Sequence, residues 1–239
     1  MDSTFETSSL EAVIFDLDGT LADTILDLGA AVNSVLERHG LPLHPSADYR
    51  RMVGRGFSLL MQQALPGHLV SDPERFSELA AEAAREYSLH ALDTTKPFPG
   101  IAELLDRLAA SRILMAVLSN KPDAMTKSMV SALFPGIPFI EVSGDREGIP
   151  RKPDPAAARA IAQKSGIPAG RWAFVGDSGV DMATGKAAGM MPVGVAWGYR
   201  NREELHSEGA AALIESPDEL PAVLEILGRL ARSPSGGEL

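Results

Sequence analysis

The amino-acid sequence predicts an α/β fold: a doubly wound parallel sheet with a small all-helical unit inserted after its first strand. Three observations lead there. Short apolar runs, most bounded by Gly, Pro, Ser or Asp, alternate with segments of helical period. The connection from the first run, which ends near Asp16, to the next, which begins near Ile113, is too long for one crossover helix. That connection also carries its own apolar stripes at helical spacing.

The first strand is read at Ala12–Phe15, where "AVIF" runs without a polar residue, as a strand buried on both faces does. Ile25, Leu28, Val32, Val35 and Leu36 then share one helical face, and 57–65 and 73–92 also read as helix, punctuated by "GLPLHPS" and Pro66-Gly67. The inserted unit is therefore placed at 23–95, and the chain re-enters the sheet through "KPFPG". Ile101, Leu104, Leu105 and Leu108 recur at helical spacing ahead of a second strand at 113–118. Further strands are read at 139–142, 172–175, 192–196 and Ala212–Ile214, with helices at 156–164 and 181–188 that each end at a glycine. The sheet domain is thus assigned to 10–22 and 96–232, and 1–9 and 233–239 are read as frayed tails.

Composition removes several classes of function. A net charge of −10 with no Lys/Arg block argues against nucleic acid as a partner. Without cysteine there are no disulfides, thiolate nucleophiles or Cys-ligated metals, and the five scattered histidines make no zinc site. The opening "MDSTFETSSL" is acidic and polar where an export signal is basic and then apolar, and no apolar run approaches membrane-spanning length. The expectation is a cytoplasmic protein with no membrane or nucleic-acid partner, and whether it is a monomer or a dimer is left open.

Chemistry gathers where strands end. "AVIFDLDGTLADT" runs from apolar residues straight into Asp16 and Asp18, with Gly19 and Thr20 behind them. A D-x-D-G-T string arises by chance about once in 10^5 positions, so a fortuitous turn is a weak account. The second strand is followed by Ser119 and Asn120, the third by a loop reaching Lys152 in "RKPDP", and the fourth by Asp177, with Asp181 one turn further. Any one of these residues alone reads as a turn, a helix cap or a surface side chain. Their concurrence at successive strand ends is what points to a site, because open parallel sheets bind ligands beyond the carboxyl ends of their strands.

Asp16, Asp18 and Asp177 on one side of a sheet repel one another unless a cation sits among them, and a sparse all-oxygen set points to Mg2+. A phosphoryl group fits the remainder. A carboxylate can attack it to form an aspartyl-phosphate, Lys152 and Ser119 can hold its oxygens, Asp18 can serve as general acid and base, and Gly19 with Thr20 lets backbone approach closely.

Four segments, "DLDGTLADT", "VLSNK", "KPDP" and "VGDSGVDMATGKAAG", resemble in order and spacing the signature motifs of the haloacid dehalogenase-like superfamily. The resemblance implies a Rossmann-like core with Asp16 as nucleophile, Asp18 as general acid/base and backbone metal ligand, and Ser119 and Lys152 on the phosphate. It also implies Mg2+ bound by Asp177 with support from Asp181, and a small cap formed by the helical insertion, which closes to exclude water. "MVGRGFSLLMQQAL", "YSLHALDTTKPFPGIAELL", "GDREGIPRKPDP" and "VAWGYRNREEL" further resemble the phosphoglycolate phosphatases of that superfamily, with 2-phosphoglycolate as the first substrate to expect.

Within the insertion, Arg55 between two glycines is the candidate for the far end of an anionic substrate, with Arg51 and His90 as weaker ones. A dehalogenase has no need of a second acid or of a Mg2+ carboxylate set. A phosphonate-cleaving relative needs a cap lysine, and none occurs between Leu21 and Thr95. A phosphomutase, or a phosphatase for sugar phosphates, nucleotides or pyrophosphate, is the alternative that these residues leave open.

Overall fold

The computed structural model describes residues 10–230, so the tails expected at 1–9 and 233–239 lie outside the described residues. β1 (Ala12–Phe15) leads through a tight turn to a two-residue strand, β2 (Ala22–Asp23). Five helices follow: α1 (Ile25–Arg38), α2 (Ser46–Met52), α3 (Phe57–Ala64), α4 (Gly67–Val70) and α5 (Pro73–His90). β3 (Lys96–Pro97) brings the chain back, and strands and helices then alternate through α6 (Ile101–Ala110), β4 (Leu114–Pro122), α7 (Asp123–Leu133) and β5 (Phe139–Asp145). α8 (Ala156–Ser165), β6 (Trp172–Gly176), α9 (Gly179–Ala188), β7 (Met191–Val195), α10 (Arg202–Ser207), β8 (Ala212–Ile214) and α11 (Leu220–Leu230) complete it.

Six strands form one parallel sheet in the order β5-β4-β1-β6-β7-β8. β1 lies at its centre because all four of its residues are buried, and alternate residues feed opposite faces. Val13 and Phe15 join Met115, Val117, Ala173 and Val175 on one side, while Ala12 and Ile14 join Ala116, Trp172 and Phe174 on the other. The connection leaving β1 runs to β4 on one side and that leaving β6 runs to β7 on the other, so they diverge between β1 and β6, which opens a crevice over the carboxyl ends of β1, β4 and β6.

β4 runs on past the expected Leu118 to Pro122, because after an irregularity Pro122 pairs with Asp145 of a correspondingly longer β5. Ser119, Asn120 and Lys121 therefore lie on the strand rather than beyond it. The helical insertion is present, and α2 and α4 are additions to the helices read from the sequence. Its neck is a ribbon in which Ala22 pairs with Pro97 and Asp23 with Lys96. Asp27 of α1 ties the far end of the insertion to this neck, accepting from Thr94 N at 3.0 Å, Thr94 Oγ1 at 2.5 Å and Thr95 N at 2.8 Å. Burial opposes the Asp27 charge, but these hydrogen bonds outweigh it and hold the carboxyl below the usual carboxylate range.

Candidate active site

Asp16 follows β1, its backbone N–H still donating to Val175 O at 2.9 Å, so its side chain emerges at the crevice floor. Lys152 arrives from the loop after β5, and its Nζ lies 2.8 Å from Asp16 Oδ1 and 2.7 Å from Asp181 Oδ1. Asp181 also caps α9: its Oδ2 accepts from Ser178 N at 3.1 Å and from Ser178 Oγ at 2.6 Å. Asp177 Oδ2 accepts from Tyr199 N at 2.7 Å.

Asp16, Asp177 and Asp181 each bring a carboxylate oxygen within 4.8 Å of the others, and all three residues are buried. This all-oxygen set suits a hard divalent cation. Gly19 makes the approach possible. Its φ is +85°, and a Cβ there would lie 2.3 Å from Asp177 Oδ2.

Asp18 is placed apart from that cluster. Its Oδ1 accepts from Lys121 Nζ at 2.6 Å and from Thr24 Oγ1 at 2.6 Å, and Lys121 Nζ donates in turn to Tyr87 Oη at 2.8 Å. The carboxylates that meet are thus Asp16, Asp177 and Asp181, and the Asp18 side chain turns towards Lys121 instead. Ser119 Oγ accepts from Lys121 N at 3.1 Å. Thr20 Oγ1 is buried with no hydrogen-bond partner among the described residues.

Asn120 and Arg200 also reach the insertion from the core. Asn120 Oδ1 accepts from Lys152 N at 2.9 Å, and its Nδ2 donates to Lys152 O at 3.0 Å and to Gly54 O at 2.9 Å. The Asn120 side chain therefore fixes the Lys152 backbone and the 53–56 loop rather than facing the crevice as a free donor. Arg200 donates to the carbonyls of Arg50, Arg51 and Val53 at the end of α2. Lys121, Tyr87, Tyr199 and Arg200 were not singled out in the sequence.

Core and insertion enclose a pocket with about 420 Å³ of empty space, its mouth included. Asp16, Asp18, Ser119 and Lys121 form its floor, and Leu28, Val53, Phe57, Leu60 and Tyr87 form its roof. Arg55 is exposed and lines a separate outer groove with Arg51, Arg200 and Glu204. His90 is also exposed, with Nδ1 2.8 Å from Asp93 Oδ2.

Four buried carboxylates face two buried lysines in this site. Burial, with help from Asp181 and Asp18, outweighs Lys152 and pushes the Asp16 carboxyl up to about 7. Burial together with Asp181 and Asp16 raises Asp177 well above the ordinary carboxylate range. With no cation bound, these two groups favour the fold while protonated and cost stability as they ionise. That contribution is full below the unfolded-state value near 4 and is lost as pH rises through about 7 for Asp16. A divalent cation favours the ionised forms, so Mg2+ is expected to raise the melting temperature more at pH 8 than at pH 5.5. Melting curves with and without Mg2+ at both pH values check this, and an increment as large at pH 5.5 would contradict it.

The model of the haloacid dehalogenase-like hydrolases matches residues 13–195, spanning both D-x-D and the Asp177/Asp181 segment. The chain belongs to this family. Its relatives include a phosphoglycolate phosphatase of Pseudomonas fluorescens (strain Pf0-1), 33% identical over 237 residues that cover 95% of this chain and 86% of the relative. A phosphoglycolate phosphatase of Rhodospirillum rubrum is 36% identical over 86% of this chain and 87% of its own. Among solved structures, a predicted phosphoglycolate phosphatase from Haemophilus somnus 129pt superposes with a TM-score of 0.82 at 25% identity, covering 90% of this chain and 97% of that one. The matching family is one of hydrolases, and no described helix of this chain is long and apolar enough to cross a membrane.

Proposed function

We propose that this hydrolase is a Mg2+-dependent phosphatase of small anionic phosphate monoesters, acting through an aspartyl-phosphate, with 2-phosphoglycolate as its substrate. The observation that carries the reading is the meeting of Asp16, Asp18 and Ser119 on the floor of one small pocket, with Lys152 Nζ 2.8 Å from Asp16 Oδ1, in a chain whose relatives include phosphoglycolate phosphatases.

Asp16 supplies the attacking oxygen. As it bonds to phosphorus the ester P–O bond breaks, and Asp18 gives its proton to the departing oxygen. Asp18, now ionised, takes a proton from water as that water attacks the phosphorus, and the Asp16–phosphate bond breaks to return the carboxylate and free phosphate. Lys152, fixed in place by Asn120, together with Ser119 and the turn at Gly19 and Thr20, holds the phosphoryl oxygens. Asp16, Asp177, the backbone at Asp18 and the supporting Asp181 would hold Mg2+, which when bound neutralises charge between carboxylate and phosphate. The helical unit at 23–95 acts as the cap, closing the pocket to bulk water.

Phosphate release from 2-phosphoglycolate, sugar phosphates, nucleotides and pyrophosphate, each with and without Mg2+, tests the reading. Mg2+-dependent release favouring 2-phosphoglycolate is the expected result. A clear preference for another ester would replace the substrate, and an isomerised ester without phosphate release would mark a mutase.

A further inference from the structure

Lys121 does more than balance the charge of Asp18. Its ammonium is buried yet stands in the pocket wall, and of the residues lining that pocket it alone is cationic. An ammonium has three N–H groups. Two are directed, to Asp18 Oδ1 at 2.6 Å and to Tyr87 Oη at 2.8 Å, and the third has no acceptor among the described residues. Because Lys121 donates to the Tyr87 hydroxyl, that hydroxyl keeps its own proton for an acceptor. The two polar groups meet across the junction of cap and core, at the side of the pocket where Asp18 stands.

The other cations near the site are differently placed. Lys152 Nζ is held between Asp16 and Asp181, at 2.8 and 2.7 Å, and Arg55 lines the outer groove. The other roof side chains, Leu28, Val53, Phe57 and Leu60, are apolar and give a sugar hydroxyl or a base edge no side-chain partner.

We propose that Lys121 and Tyr87 form a carboxylate-binding subsite, and that the preferred substrates are small esters with the carboxylate on the carbon that bears the phosphate. The inference rests on the phosphatase reading above. If Asp18 serves the leaving oxygen, a carboxylate on the adjoining carbon lies about 3 Å from that oxygen by covalent geometry. Lys121, itself touching Asp18, is the neighbour that meets it. Longer substrates would carry their negative charge past the ammonium and against the apolar roof.

The test compares 2-phosphoglycolate and 2-phospholactate with ethyl phosphate, which has the same ester linkage but no carboxylate. Wild-type kcat/KM is expected to favour the carboxylated esters by about 100-fold or more, and Lys121→Met should bring that ratio down to within a few-fold of unity. A lysine that only balances Asp18 would depress all three esters alike and leave the ratio standing, which overturns the proposal. Tyr87→Phe removes a single hydroxyl at little risk to folding, and should lower the ratio by roughly 3- to 10-fold. Should it leave the ratio unchanged, the tyrosine has no part in the subsite.

Binding separates this inference from the phosphatase reading. Asp16→Asn protein titrated calorimetrically with 2-phosphoglycolate and with ethyl phosphate should prefer the former, and adding Lys121→Met should abolish the preference. Equal affinities in the Asp16→Asn protein would sink the subsite even with turnover intact. Failure of the wild type to hydrolyse any ester would sink the phosphatase reading alone, and the titration would still decide the subsite.

Discussion

Asp16→Asn is expected to lower phosphate release by about 10^4-fold or more while leaving the fold in place. The carboxamide is neutral and a poor nucleophile, so no aspartyl-phosphate forms, and the remaining residues can bind ester without cleaving it. Stability should move the other way. Burial and the neighbouring Asp181 and Asp18 push the Asp16 carboxyl up to about 7, so at pH 8 its charge is a burden on the cation-free fold. The amide removes that charge, and Lys152 keeps Asp181 as a partner at 2.7 Å. The melting temperature at pH 8 without Mg2+ should therefore equal or exceed that of the wild type, and the Mg2+-dependent increment should shrink. A folded variant retaining activity within tenfold of the wild type would remove Asp16 from the role of nucleophile.

Lys152→Ala is expected to strike activity and stability together. Its ammonium is the one cation bonded to Asp16 and Asp181 among the described residues, and it also lies 5.7 Å from the centre of the Phe174 ring. Truncation leaves buried carboxylates facing one another without a partner, a loss of about 3–5 kcal/mol. For a chain of this size that lowers the melting temperature by on the order of 10 °C. The loss should be greatest at pH 8 and smaller at pH 5, because protonation of Asp16 discharges one member of the cluster. Mg2+ should restore part of the melting temperature, since it supplies positive charge at the same carboxylates. It should not restore turnover, expected to fall about 10^3-fold with the loss of a phosphate-holding charge. Melting curves at the two pH values, beside phosphate release, check this. An unchanged melting temperature at pH 8 would show that the ion pairs contribute nothing to the fold.

How much of this site was legible in the sequence depended on how local each residue's signal was. Asp16, Lys152 and Asp177 follow strands of the central sheet and Ser119 lies in the carboxyl-terminal half of β4, and parallel strands deliver their carboxyl ends to one side whatever the details of packing. Lys121 stood in view within "VLSNK" but carried no chemistry, because the strand was read as ending at Leu118. With β4 extended to Pro122, strand alternation puts Lys121 on the same face as Ser119, and that period of two is the signal that finds it. Tyr87, Tyr199 and Arg200 had no comparable signal. Tyr87 reads as one more apolar position of a helix, and its meeting with Lys121 depends on how the cap sits over the sheet.

The order of apolar runs and helical stripes determined the parallel sheet, the helical insertion and the collection of acidic and basic groups at the carboxyl end of the strands, because those follow from periodicity and chain connectivity. Only the tertiary structure decided which charges pair. Asp16 and Asp18 stand two residues apart and read as one cluster, but β1 ends at Phe15 and beyond it the chain leaves the extended conformation, so their side chains meet different partners. Asp16 then joins Asp177, Asp181 and Lys152, whereas Asp18 joins Lys121 and Thr24 beneath the cap. Arg55 shows the same dependence, since the loop that carries it runs between Gly54 at φ +108° and Gly56 at φ +95° and leaves the arginine outside the pocket. Side-chain direction at a turn is set by backbone dihedrals and by the neighbours the fold supplies, and residue order alone encodes neither.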